Sequence, residues 1–471
     1  MKQLSVDVAV IGAGTAGLAA YRAAVAGGRS AVIIEGGPYG TTCARVGCMP
    51  SKLLIAAAEA AHGPAKWPEF GLHLDGRMRV DGRAVMARVK RERDRFVGFV
   101  LESVDAIPQA DRIRGYAQFV DDQTLDVDGH TRITFTRAVI ATGSAPSIPQ
   151  ALRAAGDRLI INDDIFNWED LPRSVAVFGP GVIGLELGQA LHRLGVEVKL
   201  FGRRGHVGPF SDPEIRAYAA KTFRHELTLD TEADVRSIER VGDRVRLRYR
   251  GPDGGEVESD VDFVIASTGR KPNVGGLALE RTTIAVDSAG IPVFDRQTMQ
   301  CGRHPVFIAG DVNDELAVLH EAADEGRIAG DNAARWPDVH PGARRTPLSI
   351  VFSDPQLAVI GTRHDQLAPG SFVTGAVSFE NQGRSRVMLR NAGLLHVYAD
   401  VHSGKLLGAE MIGPDAEHIA HLLAWAIQAQ FTVARTLEMP FYHPVIEEGL
   451  RTALRDAQHK IVAARRLASA A

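Results

Sequence analysis

Two glycine-punctuated turns constrain this chain more than any other feature. The first is Val8-Ala9-Val10-Ile11-Gly12-Ala13-Gly14-Thr15-Ala16-Gly17, leading into Leu18-Ala19-Ala20 and then a second apolar strand, Ala31-Val32-Ile33-Ile34, that ends at Glu35. The second is Val175-Ala176-Val177-Phe178-Gly179-Pro180-Gly181-Val182-Ile183-Gly184, with its following strand at Val196 to Phe201. Each sets G-x-G-x-x-G between a predicted strand and a predicted helix, inside a βαβ unit of ~30 residues. The first glycine permits the tight turn, the second lets backbone approach a pyrophosphate, and the third lets the helix pack close to the strand. The helix N-terminus then receives the phosphates. Two complete units predict two dinucleotide sites in one chain.

At 471 residues the chain is too long for one ordinary core, so two to four domains are expected. A formal charge of -3 offers no global attraction to nucleic acid or anionic membranes. The basic stretch Arg88 to Arg95 is interrupted by Glu92 and Asp94 and reads as the solvated face of a helix. Asp7, within Val6-Asp7-Val8-Ala9-Val10-Ile11, argues against a signal peptide, and no run reaches the ~18 apolar residues of a membrane span. A cytoplasmic location is expected. Three cysteines are too few for a secreted disulfide framework and suit a catalytic pair in a reducing compartment.

Further apolar strands end in small residues: Arg137 to Ile140 before Ala141-Thr142-Gly143, and Phe263 to Ala266 before Ser267-Thr268-Gly269. Val306-Phe307-Ile308-Ala309-Gly310-Asp311 brings an aspartate to a strand terminus, where ligands bind in open α/β sheets. After about Pro347 the texture changes to alternating strands such as Leu394 to Ala399 and an apolar helix from His418 to Gln430, which predicts a separate α+β domain.

The segment Gly40-Thr41-Thr42-Cys43-Ala44-Arg45-Val46-Gly47-Cys48-Met49-Pro50-Ser51-Lys52 carries the chemistry. Residues five apart in a regular helix are separated by ~7.5 Å of rise and face different ways, whereas a disulfide needs Cα atoms within ~7 Å. If Cys43 and Cys48 pair, the backbone between them must leave the helical path, and Gly47 can supply the unusual dihedral. Pro50 fits only the first turn of the helix that follows, Ser51 through Ala61, so Cys48 is expected at or just before a helix N-terminus. There the dipole and unpaired amides favour thiolate over thiol. A purely structural disulfide is the alternative. Zinc is disfavoured, because no second cysteine or histidine pair lies at ligand spacing, and Cys301 reads as a buried small hydrophobe.

With these motifs the chain resembles, over essentially its full length, the class I pyridine nucleotide-disulfide oxidoreductases. Within them it is most similar to the dihydrolipoamide dehydrogenases, with some features of glutathione reductases. It departs at Thr41, where the group usually has a second glycine. The resemblance implies an α/β fold of two Rossmann-like nucleotide-binding domains and a C-terminal α+β dimerisation domain. These are an FAD domain at 1–145 and 275–345, an NAD(P) domain at 146–274 and a dimerisation domain at 346–471. It implies that Gly12, Gly14, Gly17 and Glu35 hold the ADP half of FAD, that Asp311 meets its ribityl chain, and that Thr42, Lys52, Thr142 and Gly143 also contact the cofactor. Gly179, Gly181, Gly184 and Gly269 fall to the nicotinamide nucleotide. Cys43 and Cys48 become the redox-active pair, Lys52 and Glu186 an ion pair beside the flavin ring, and His443 an acid-base held by Glu448 within Phe441-Tyr442-His443-Pro444-Val445-Ile446-Glu447-Glu448. In the family that histidine reaches the disulfide of the other subunit, which implies a homodimer with a shared active site.

After Val196 to Phe201, the position where NAD-specific members carry an acidic residue is Gly202, followed by Arg203 and Arg204. A carboxylate there binds a ribose 2′-hydroxyl and repels a 2′-phosphate, so the sequence favours NADPH over NADH. Solvent-facing arginines with NAD as the cosubstrate is the alternative. Val182 matches the lipoamide dehydrogenase form, whereas Arg22 and Arg327 fall where glutathione reductases meet glutathione carboxylates. The expected substrate is therefore dihydrolipoamide or lipoamide, with another low-molecular-weight disulfide as the alternative. Docking to a 2-oxoacid dehydrogenase complex is a further one. Metal-ion reduction, as in mercuric reductases, is disfavoured for want of a second cysteine pair, and a flavin oxidase by both cysteines and the His-Pro motif.

Overall fold

The computed structural model describes residues 1–76, 78–251 and 253–470. The chain folds as two compact units, each assembled from three separate segments.

The first unit comprises Met1–Pro50, Arg88–Ser147 and Gly269–Arg344. Its sheet has seven strands, and its parallel part runs Arg112–Arg114, Ala31–Glu35, Lys2–Ile11, Thr131–Ile140, with Val306–Ile308 beside the last. Val8, Ala9 and Val10 are wholly buried, as are Ala138, Val139 and Ile140. Near-continuous apolar runs of this kind mark a parallel sheet covered on both faces. On the edge away from Lys2–Ile11, the first half of Thr131–Ile140 pairs antiparallel with Thr124–Val127, and it alternates buried with more open positions as a one-sided strand should. The parallel strands end at Ile11, Glu35, Ile140 and Ile308, so the loops that follow them collect at one edge.

The second unit comprises Ser51–Ala87, Ile148–Thr268 and Arg345–Ala471. A five-stranded parallel sheet is ordered Thr228–Asp230, Glu197–Phe201, Ser174–Phe178, Phe263–Ala266, Leu159–Ile160. An antiparallel sheet of Val235–Val241, Arg244–Arg250 and Glu256–Val261 accompanies it. The C-terminal part is a five-stranded antiparallel sheet packed with the helices Ala416–Gln428 and Glu448–Ala470 through a core that includes Leu395, Val397, Leu423 and Leu454.

The helix expected at His418 to Gln430 forms two residues earlier, as Ala416–Gln428. The strand around Leu394 to Ala399 forms, but it is not half exposed: every residue from Leu394 to Ala399 is buried, His396 and Tyr398 included. Both polar side chains face Asp212, whose carboxylate gives them hydrogen-bond partners inside the protein. The basic stretch 88–95 lies on the helix Gly82–Asp105, where Arg91 pairs with Glu92 and Arg93 with Asp94. Among the described residues no helix is long and apolar enough to cross a membrane.

Candidate active site

In the first glycine turn each glycine answers a different steric demand. Gly12 has φ +108°, and a Cβ there would lie 2.3 Å from the Ala141 carbonyl oxygen. At Gly17, where the helix Thr15–Ala26 starts, a Cβ would sit 1.9 Å from the Gly12 carbonyl oxygen. Around Gly14 a Cβ would meet nothing within 4 Å. The first and third glycines are thus demanded by the protein itself, and the middle one opens a space at the helix N-terminus, which is the cradle a pyrophosphate needs. Glu35, the last residue of the next strand, accepts the Ala13 N–H at 2.8 Å and the Gly37 N–H at 2.7 Å. Its remaining lone pairs are available to ribose hydroxyls.

At the same edge of this sheet, Ser144 Oγ donates to Asp311 Oδ2 at 2.9 Å, and Arg270 Nε donates to Ser144 Oγ at 2.7 Å. Thr142 Oγ1 donates to the Asn273 carbonyl, and Asn273 Nδ2 donates back to the Thr142 carbonyl. Gly143 has φ +66° and Gly310 φ +80°, turning the chain sharply at both strand ends. Gly269 has φ +98° and its carbonyl accepts the Ser147 N–H.

The cysteine segment breaks where its spacing requires. A short helix, Thr42–Val46, carries half-buried Cys43 and ends at Gly47, with φ -124° and ψ -115°. A second helix, Cys48–His62, then begins at exposed Cys48 and holds Pro50 in its first turn. Cys48 is therefore at a helix N-terminus, the environment that favours a thiolate. Cys301 lies elsewhere in the first unit and is wholly buried, and burial pushes its thiol pKa far up, as for an inert small hydrophobe. The departure at Thr41 has a structural cost. Its φ of 58° with ψ of 152° is a conformation that favours glycine, and its Oγ1 offers only a long 3.4 Å cap to the Ala44 N–H.

In the second unit, the second glycine turn repeats the first. Gly179 has φ +101° with a would-be Cβ 2.4 Å from the Ser267 carbonyl oxygen, Gly184 would strike the Gly179 carbonyl oxygen at 1.9 Å, and Gly181 faces open space. Val182 opens the helix Val182–Arg193. Arg203 and Arg204 are exposed, and neither guanidinium has an ion-pair partner among the described residues.

Lys52 and Glu186, 134 residues apart, meet: Lys52 Nζ lies 2.9 and 2.8 Å from the two Glu186 carboxylate oxygens. Glu186 is buried, and its Oε1 also accepts the Phe352 N–H at 2.9 Å, while the Lys52 ammonium stands 4.7 Å from the centre of the Phe352 ring. Phe352 was not foreseen from sequence, because nothing local to it signals a partner 166 residues away. His443 is exposed, with Nδ1 at 3.0 and 3.1 Å from the Glu448 oxygens. That hydrogen bond holds the Glu448 carboxyl below its ordinary range. Arg22 and Arg327 both lie exposed on helices, Arg22 bonded to Ser103 Oγ and Arg327 paired with Asp331 one turn on. Among the described residues no group of three or more His, Cys, Asp or Glu could hold a metal ion.

Residues 6–326 match the family described as pyridine nucleotide-disulphide oxidoreductase, and residues 348–454 match its dimerisation domain. A mercuric reductase from Streptomyces lividans is 31% identical over 93% of this chain and 93% of its own length. Dihydrolipoyl dehydrogenase 3 from Pseudomonas aeruginosa is 29% identical over 96% and 98%. Among solved structures, LpdA from Mycobacterium tuberculosis aligns with a TM-score of 0.81 at 23% identity, covering 97% of this chain and 99% of that one. The HOCl-induced flavoprotein disulfide reductase RclA from Escherichia coli aligns at 0.80 and 21%, covering 96% and 99%. At these identities the two structures show a shared fold.

Proposed function

Because the chain belongs to the pyridine nucleotide-disulphide oxidoreductase family, which uses FAD and NAD(P)H, we propose that it passes electrons between NADPH and an external disulfide through Cys43 and Cys48. The observation that carries this reading is Cys48 opening the helix Cys48–His62, one residue after a break at Gly47. Bound FAD supplies a carrier that accepts a hydride from the nucleotide and gives two electrons to a disulfide. The residues of the chain do the rest. Cys48 holds thiolate charge at the helix end. Cys43 exchanges with substrate, breaking its disulfide and forming a mixed one, which Cys48 then resolves with release of the second thiol. His443, oriented by Glu448 and contributed by a second copy of the chain, gives the proton that the departing thiolate needs.

Dihydrolipoamide and lipoamide are the substrates this reading favours, supported by Val182 and by the likeness to dihydrolipoyl dehydrogenases. The match to the dimerisation domain supports a homodimer. The likeness to mercuric reductases supports a second reading, reduction of Hg(II). Against it, the third cysteine of the chain, Cys301, is buried and so offers no accessible additional thiol.

A panel of lipoamide, glutathione disulfide and Hg(II), each with NADH and NADPH, tests the proposal. Fastest turnover of lipoamide is the expected result, and fastest turnover of Hg(II) would replace it with the second reading. Anaerobic NADPH titration should produce a long-wavelength thiolate-to-flavin absorption band that Cys48→Ser removes. Direct bleaching of the wild-type flavin with no such band would overturn the role given to the cysteines.

A further inference from the structure

The two glycine turns are superimposable in logic, so each serves as a control for the other. Gly12 N–H donates to the Ile34 carbonyl at 2.8 Å, and Gly179 N–H donates to the Phe201 carbonyl at 2.9 Å. With Ile11 opposite Ile34 and Phe178 opposite Phe201, Glu35 corresponds to Gly202, Ala13 to Pro180 and Gly37 to Arg204.

In the first turn the strand-end carboxylate is held by two amides, Ala13 N–H and Gly37 N–H. In the second turn neither donor is available to a residue at 202. Pro180 has no N–H, and the Arg204 N–H is already taken by Glu232 Oε2 at 3.1 Å. The space is gone as well. A Cβ at Gly202 would lie 2.8 Å from Pro180 Cγ, 3.1 Å from its Cδ and 3.2 Å from Thr231 Cα, whereas real Cβ contacts rarely fall below 3.4 Å. The loop cannot simply move aside, because Gly202 N–H is bonded to the Asp230 carbonyl at 2.6 Å and Gly208 N–H to the Pro180 carbonyl at 2.8 Å.

We infer that Pro180 is a specificity-determining residue of the nucleotide site: by removing an amide donor and filling the space over Gly202, it bars a 2′-hydroxyl-binding carboxylate and leaves the ribose 2′-position to Arg203 and Arg204. The ligand class is an adenosine nucleotide bearing a 2′-phosphate. This rests on the NADPH reading above and adds the reason for it. The absence of an acidic residue at 202 is coupled to the proline in the turn, so restoring one without relieving the other fails.

The test uses the flavin-loaded enzyme as wild type, Gly202→Glu, Pro180→Ala and the double variant. Adenosine 2′,5′-bisphosphate and NAD+ are titrated by calorimetry, alongside kcat/KM for NADPH and NADH. Gly202→Glu alone should weaken both ligands at least tenfold, and adding Pro180→Ala should restore NAD+ binding at least tenfold and turn the preference to NADH. Equal NAD+ binding by Gly202→Glu with and without Pro180→Ala would overturn the inference. If Gly202→Glu does not fold, Gly202→Ala replaces it, and its melting temperature should fall and be recovered by Pro180→Ala; no recovery overturns the inference too. A wild type that prefers NADH defeats the NADPH reading by itself, while the coupling between 180 and 202 is still read from the variants. Loss of NADH binding in Glu232→Gln would make Glu232 the ribose carboxylate and also overturn the inference.

Discussion

Lys52 places its ammonium against both oxygens of the buried Glu186 carboxylate, and the Phe352 amide supplies a further donor to that carboxylate. The charges are unequal in exposure, Lys52 being about one-third open and Glu186 almost closed off. Removing the lysine strands a buried carboxylate, whereas Glu186→Gln keeps an acceptor for Phe352. Lys52→Met should therefore cost about 2 kcal/mol and Glu186→Gln about half of that, read by urea unfolding of the two variants. The reverse order would show that the ion pair is not what holds this contact.

The glycines of each turn should separate folding from binding. Gly181→Ala has room and an allowed φ of -82°, so stability should stay within about 0.5 kcal/mol while the KM for the nucleotide rises at least tenfold. Gly184→Ala drives a methyl into the Gly179 carbonyl and should lower stability by more than about 2 kcal/mol. Thermal melts and steady-state kinetics on the same preparations distinguish the two effects.

Thr41 stores backbone strain beside Cys43. Thr41→Gly should raise stability by about 1 kcal/mol, since glycine adopts a φ of 58° freely and the cap it loses is long. Thr41→Val, which keeps the strain and loses the cap, should lower it. A glycine variant no more stable than wild type would mean that the loop relaxes away from this conformation.

His443→Gln should slow disulfide turnover about 100-fold or more, with a smaller loss for Glu448→Gln. Stopped-flow reduction of the flavin by NADPH should be unchanged in both, because the pair acts on the thiol step alone. A matching fall in that rate would assign the two residues to the fold instead.

Asp212 gives a pH signature. Burial alone would raise its carboxyl, yet hydrogen bonds from His396 and Tyr398 and the first amides of the helix Pro213–Arg224 hold it well below the ordinary range. A depressed folded value means that its stabilisation is complete above the unfolded pKa of about 3.9 and is lost as pH falls through the folded value. Asp212→Asn should be about 2 kcal/mol less stable than wild type at pH 7, and the gap should narrow at pH 3 and below. A gap independent of pH would remove the carboxylate charge from the explanation.

Local sequence was enough for whatever depends on neighbours along the chain. The third glycine of each turn, the helix start at Cys48, the break at Gly47 and the His443 and Glu448 pair all rest on residues a few positions apart, where backbone sterics and short side-chain reach decide the outcome, whereas the first glycine of each turn is closed off by a distant strand end, Ala141 or Ser267. Tertiary structure decided the rest. The meeting of Lys52, Glu186 and Phe352, the burial of His396 against Asp212, and the closing of Gly202 by the Pro180 ring depend on segments brought together across tens to hundreds of residues. Periodicity gives a strand its faces but not what covers them, and a glycine in a sequence does not say which atom forbids a side chain there.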